Sequence, residues 1–348
     1  MATRIGRYTI RLQRPVSIIG YAAAGSRKES QGPLGQYFDC INEDSTFGEK
    51  TWEKAESTLQ KCAVNKAIKK AGITPGDIDV MFAGDLLNQC IGSTFGARQM
   101  GIPYLGLYGA CSTMAESLLL AAMLTETGLA NRCLAATSSH FCSAERQFRF
   151  PLEYGGVRTP TAQWTVTGAG ACVTALQSGP PYIREVTVGT IEDYGISDIN
   201  NMGAAMAPAA CATLSHYFHD TGKRPEDFDL ILTGDLGMVG SQLLHELMDE
   251  AKLSITANHK DCGLLIYDRL EQDVHSGGSG CGCAASVLCA YILPQLQDGR
   301  LKNILFMATG AMMSPTSVQQ GESIPGVAHL LHLSHEPEPT DEKEDEAC

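Results

Sequence analysis

The chain carries a partial copy of itself. Residues 72–86 read GITPGDIDVMFAGDL and residues 222–236 read GKRPEDFDLILTGDL. At a constant offset of 150, seven of these fifteen positions are identical: Gly72/Gly222, Pro75/Pro225, Asp77/Asp227, Asp79/Asp229, Gly84/Gly234, Asp85/Asp235 and Leu86/Leu236. Most of the remaining strand positions exchange one apolar residue for another. Each copy reads as a helix C-terminus, a proline turn and a buried strand ending in Gly-Asp-Leu. A helical run precedes each, TWEKAESTLQKCAVNKAIKKAG in one case and AAMAPAACATLSHYFHDTG in the other. The match continues downstream. Residues 111–137 and 283–309 each run from small residues through an apolar helix and a glycine stop to a buried strand. Two matched units in the same order predict a duplicated α/β fold. The downstream helices are apolar nearly all round, so they belong between sheets. A layered architecture follows, with central helices sandwiched by two sheets and other helices outside.

Composition sets limits on function. With 44% hydrophobic and 19% charged residues the chain packs as a globule. The formal charge of −13 argues against a protein that tracks nucleic-acid phosphates. Nearly half of that charge sits between Glu336 and Glu346, where seven acids accompany one lysine. Residues 336–348 therefore read as a disordered acidic tail. The N-terminus has no apolar signal-peptide core, and no apolar run reaches bilayer-spanning length. Thirteen cysteines, an odd number, lie mostly in apolar runs and read as packing residues of a reduced, cytosolic chain.

The runs YGACSTMAESLLLAAML and HSGGSGCGCAASVLCAYI resemble the two helix entries of the thiolase-like fold, the fold of thiolases and ketoacyl synthases. Cys111 occupies the nucleophile position of that superfamily. FDCINEDSTFGEKTWEKAES, AGDLLNQCIGSTF, SSHFCSAERQFRFPLEYG and RTPTAQWTVTGAGA resemble, more closely, the stage V sporulation protein AD family. The resemblance implies an α-β-α-β-α layering with halves at 1–180 and 181–335. It implies a non-enzymatic protein that binds dipicolinic acid, with no cofactor and with calcium open as the ligand's chelated ion. It further implies a homodimer formed through the first-half sheet, with the loops after Cys90 near the partner. Other stage V sporulation membrane proteins would hold it on the cytoplasmic side of the spore inner membrane. The alternative is an active acyltransferase or condensing enzyme using Cys111.

A thiol at a helix start is expected to have a lowered pKa. Acyl chemistry also needs a base and oxyanion donors. After the second-half strand, Asp235 stands where the superfamily carries histidine, and His275 lies before the second helix entry. The flat dianion needs cations or N–H donors for its carboxylates. Backbone N–H groups and two hydroxyls at Cys111, Ser112 and Thr113 are expected to converge on one point. His140, Arg146, Arg149 and Arg158 are the candidate charges, the arginines alternatively pairing with Glu145 and Glu153. Asp85 and Asp235 either wall the pocket or cap helices. Cys281-x-Cys283 has no second pair at zinc spacing, so no metal site is expected. His329, His332 and His335 recur every three residues, either along one helix face or in a solvated C-terminal segment.

Overall fold

A computed structural model describes residues 2–148 and 157–337. Ten strands form its framework. They are β1 (Thr9–Ser26), β2 (Val80–Gly84), β3 (Tyr104–Gly106), β4 (Arg132–Ser139), β5 (Gly168–Ala175), β6 (Tyr182–Thr187), β7 (Leu230–Thr233), β8 (His259–Asp261), β9 (Asn303–Ala311) and β10 (Gly326–Ser334). Their order across the first half is β1-β5-β4-β2-β3, and across the second it is β6-β10-β9-β7-β8. Position for position, these are the same order. In each half the two outermost pairings are parallel and the two inner ones antiparallel.

The two sheets expected from the sequence are joined edge to edge. β1 pairs antiparallel with β6, Arg11 opposite Glu185 and Val16 opposite Ile183. A bulge between those registers takes up the extra residues of β1. Two short strands, Thr3–Arg4 and Cys40–Asn42, also pair with β1.

The repeated residues do the same work twice. Asp79 accepts hydrogen bonds from the N–H groups of Asn131 and Arg132 (2.6 and 3.1 Å), and Asp229 accepts from Lys302 and Asn303 (2.6 and 3.0 Å). Each acid thereby ties the start of one strand to its parallel neighbour. Asp77 accepts from Thr74 N and Asp227 from Arg224 N, both at 2.8 Å, closing the proline turns. Gly72 and Gly222 both end helices in the left-handed region, at φ 70° and 68°.

Helices α1 (Trp52–Lys70), α2 (Ile91–Ala97), α3 (Thr113–Thr127), α4 (Phe141–Phe148), α5 (Met202–Thr221), α6 (Gly237–Glu250) and α7 (Cys281–Val287) complete the frame. α3 packs on strands of both halves and buries Met114, Ala115, Leu118, Leu119, Ala121 and Ala122. α7 is buried throughout and runs on through a π-helical turn at Leu288–Ile292. The layering is therefore the α-β-α-β-α arrangement with buried central helices.

One expectation is corrected here. His329 and His332 lie in β10, a buried strand, not on a helix face or in a solvated segment. Alternation in a strand would put them on opposite faces, and the neighbouring Leu-Leu pair is the signal that outweighs the three-residue spacing. The tail beyond residue 337 lies outside the described residues. The twelve cysteines among the described residues are all free, and eight of them are buried.

Candidate functional site

The Cys111 elbow follows a left-handed residue, Ala110 at φ 50°, and leads directly into α3. Cys111 packs with Leu86, Leu87, Ala110, Ala144 and Cys281 in one apolar cluster. Asp235, fully buried after β7, lies within hydrogen-bonding reach of the Cys111 thiol. Its carboxylate also accepts from Gly280 N (2.8 Å), Ser279 Oγ (3.0 Å) and Thr309 Oγ1 (3.0 Å). It thus joins the elbow of one half to the helix entry of the other.

This geometry reverses the expectation for the thiol. Burial first, and the nearby Asp235 carboxylate second, push Cys111 well above the ordinary thiol range. The helix start does not offset them. The hydroxyls do not converge on a ligand point either. Ser112 Oγ donates to Gly109 O, and Thr113 Oγ1 donates to Ala110 O, both at 2.7 Å. Both are spent on holding the elbow turn.

Asp85, the repeat partner of Asp235, has a different surrounding. It accepts from Leu87 N (2.9 Å), Ser93 N (2.7 Å) and Ser93 Oγ (2.7 Å), fixing the entry to α2. Glu56 of α1 is buried beside it and accepts from Ser138 and Ser143. Burial, and then the neighbouring Asp85, raise Glu56 well above the usual carboxylate range, and burial raises Asp85. Asp261 plays the corresponding part in the second half, accepting from Leu236 N and Gly237 N.

The candidate cations among the described residues do not gather at Cys111. Arg146 pairs with Glu53 of α1. Arg149 lies outside the described residues, as does Glu153. His140 is buried with both ring nitrogens committed: Nε2 donates to Ser45 O (2.8 Å) and Nδ1 accepts from Cys142 N (3.1 Å). Burial lowers its pKa, so it is a neutral ring without an open donor. Two candidates do meet. Arg158 Nη2 donates to Asp273 O (2.9 Å), and His275 Nε2 lies 2.9 Å from the Asp273 carboxylate. Arg158 also lies over the Trp164 ring, 4.4 Å from its centroid.

That pair marks a group the sequence reading passed over. Lys28 Nζ sits 3.9 Å from the same Trp164 centroid and 3.5 Å from Asp273 O. Phe141 stacks on Trp164 at 4.0 Å. The available signal was position: Lys28 and Glu29 follow β1 directly, and α/β folds build sites beyond strand ends.

Comparison with known proteins agrees with this architecture. The family model described as Stage V sporulation protein AD (SpoVAD) matches residues 6–334. The Stage V sporulation protein AD of Bacillus subtilis (strain 168) is 45% identical over 324 residues, covering 93% of this chain and 96% of that protein. Among solved structures, 3-oxoacyl-[acyl-carrier-protein] synthase III from Aquifex aeolicus VF5 aligns with a TM-score of 0.55 at 13% identity, covering 92% of this chain and 99% of that one. Cerulenin-bound Xanthomonas campestris OleA aligns with a TM-score of 0.59 at 16% identity, covering 93% and 97%. At such identities the solved structures speak for the thiolase-like fold alone.

Proposed function

This chain belongs to the stage V sporulation protein AD family, and from that premise we propose that it binds dipicolinic acid, free or as its calcium chelate, without transforming it. The observation that carries the non-enzymatic part is the contact between Cys111 and Asp235. Acyl transfer through a thiol needs a base to take its proton and donors to hold the oxyanion. Here the thiol faces an acceptor that is already served by Gly280, Ser279 and Thr309. A carboxylate in that role holds the thiol proton in place and offers nothing to a developing negative charge.

The protein acts, in this reading, on the cytoplasmic side of the spore inner membrane, held there by membrane proteins of the same sporulation assembly. No helix among the described residues is long and apolar enough to cross a membrane, so attachment runs through protein contacts. The chain pairs with a second copy through β3. That strand ends the first-half sheet, with Leu105 (53% exposed) open on it and Tyr108 (44%) open just beyond it.

Calorimetric titration with dipicolinate, with and without calcium, tests the binding. Heat of binding and a raised melting temperature are expected. Folded protein that gives neither removes the claim. Incubation with an acyl-CoA followed by mass spectrometry tests the rest. No acyl mass on Cys111 is expected, and an adduct that turns over restores the enzymatic alternative.

A further inference from the structure

A line of hydrogen bonds runs inward from the surface at the outer edge of the second half. His245 of α6 and His259 of β8 meet Nε2 to Nδ1 at 2.9 Å. His259 Nε2 lies 2.9 Å from Thr233 Oγ1, at the end of β7. Thr233 Oγ1 lies 2.7 Å from Asp261 Oδ2, and its alternative acceptor, Lys260 O, is farther away at 3.5 Å. Asp261 is buried and accepts from Leu236 N (2.9 Å) and Gly237 N (3.0 Å), so the line ends at the turn that follows Asp235. At its outer end His245 is partly exposed, and its Nδ1 makes no hydrogen bond among the described residues.

Each link has one hydrogen to share, so the links are not independent. With Asp261 ionised, Thr233 donates to it and keeps its oxygen free to accept. His259 then donates from Nε2, and its bare Nδ1 accepts from His245 Nε2–H. Every hydrogen points inward. With Asp261 protonated, it donates to Thr233, Thr233 donates to His259 Nε2, and His259 Nδ1–H donates to His245 Nε2. Every hydrogen points outward. Any mixed order puts two hydrogens, or none, into one link. His259 is a neutral ring in both orders, and burial first and His245 second hold it down at about 3.

The surroundings leave the line to itself. Asp261 is faced by Asp235 and by the buried thiols of Cys262 and Cys283. His259 is faced by His245. Glu246 and Asp249 of α6, with Lys252 and Lys260, are exposed, and water screens them.

We propose that His245, His259 and Thr233 form a proton relay through which Asp261 exchanges its proton with water. On uptake, a proton from water adds to His245 Nδ1. His245 passes its Nε2 hydrogen to His259 Nδ1, His259 passes its Nε2 hydrogen to Thr233 Oγ1, and Thr233 passes its own to Asp261 Oδ2. One proton enters and one carboxylate is neutralised. Both rings end neutral, with their hydrogens moved from Nε2 to Nδ1. The charge that disappears lies beside Asp235, so the pH of the solution is felt at the residue that faces Cys111.

Nitrogen NMR of the histidines in the full chain tests this, because it tells a bare ring nitrogen from one that carries hydrogen. Between about pH 9 and 5, His259 is expected to exchange its Nε2–H form for the Nδ1–H form as pH falls through about 7, where Asp261 takes its proton. It is not expected to become doubly protonated. His140, whose Nε2 donates to Ser45 O, is the internal control and is expected to keep one form throughout. Asp261→Asn and Thr233→Val are expected to abolish the exchange at His259. His245→Phe is expected to leave His259 fixed as Nε2–H, since Nδ1–H would have no acceptor. Should Thr233→Val fail to fold, the parent and the other two variants still decide. A parent chain in which His259 keeps one form at every pH, or takes a second proton, overturns the relay. An exchange that persists in Asp261→Asn or in His245→Phe overturns it as well.

Discussion

Asp85 and Asp235 hold the same place in the repeat, yet they have parted in role. Asp85 serves its own half, closing the turn into α2 beside Glu56. Asp235 reaches across, accepting from the entry of α7 and lying against the Cys111 thiol of the other half. The framework residues have not diverged. Asp79 and Asp229, or Gly72 and Gly222, make matching contacts. Duplication thus preserved what orders the strands, while the residues at the strand ends were free to change. The same separation is why a shared fold does not by itself assign a chemistry.

The sharpest way to break the equivalence is at the glycines before these acids. A Cβ on Gly84 would stand 2.1 Å from Leu107 O and 2.8 Å from Thr113 Cγ2. On Gly234 the nearest atom, Ala308 Cα, is 3.0 Å away. Gly84→Ala is expected to cost about 4 kcal/mol, because backbone must move, and Gly234→Ala only about 1 kcal/mol. Chemical denaturation of the two variants gives the difference. Equal losses would mean that the two strand ends are packed alike.

Buried acids give a second contrast, this time in the sign of pH dependence. At the seam between halves, Glu185 accepts from Arg11, Tyr217 and Lys223 and lies 3.3 Å from His332. Burial works against its charge, but His332 and Lys223 prevail and hold it well below the usual carboxylate range. Asp261, by contrast, is pushed up to about 7, chiefly by burial and also by Asp235. A depressed acid stabilises the fold above the unfolded pKa, and that gain drains as pH falls. A raised acid binds its proton more tightly when folded, so its contribution is present at low pH and is lost as pH climbs toward 7. Glu185→Gln is therefore expected to cost about 3 kcal/mol at neutral pH and progressively less below about pH 4. Asp261→Asn is expected to gain on the parent by roughly 3 kcal/mol between about pH 4 and 7. Denaturation midpoints across that range check both, and parallel curves for parent and variant would refute either assignment.

How far the sequence disclosed this depended on whether a feature was local. The proline turns, the Gly-Asp strand ends and the apolar helices are short-range patterns, and the topology carries them in the expected order. The layering was legible for the same reason, since an all-round apolar helix such as Leu118–Ala122 has nowhere to go but between sheets. The site was legible only in part. The Cys111 elbow is a contiguous motif and stood out. What surrounds it is assembled from distant segments: tertiary packing buries the thiol, and Asp235, arriving from 124 residues away, adds to the upward push of that burial. The arginine cluster failed because Arg146 and Arg158 leave one short segment in different directions, toward Glu53 and toward Asp273. Lys28 reaches Trp164 only through tertiary packing, across 136 residues of sequence.

The last contrast lies at the two ends of the sheet. β3 and β8 are topological equivalents, each the outermost strand of its half. β8 reads His-Lys-Asp; its histidine is paired with His245 (2.9 Å), its aspartate is buried against the start of α6, and its lysine is exposed. Such an edge repels another strand, since a lysine has to be desolvated before pairing can occur. β3 reads Tyr-Leu-Gly and shows the opposite design, with Leu105 open to solvent and Tyr108 just beyond it. If a second copy pairs anywhere along the sheet, it does so here. Leu105→Arg puts a charge of the β8 kind on the β3 edge. It is expected to weaken self-association by about 2 kcal/mol, roughly thirtyfold, while leaving the monomer folded. Lys260→Arg on β8 is expected to change nothing. Sedimentation velocity over a concentration series measures both. A parent chain that sediments as a monomer, or a Leu105→Arg variant that dimerises undisturbed, would show that the apolar edge faces some other surface, and that the two ends of the sheet differ for a reason unrelated to pairing.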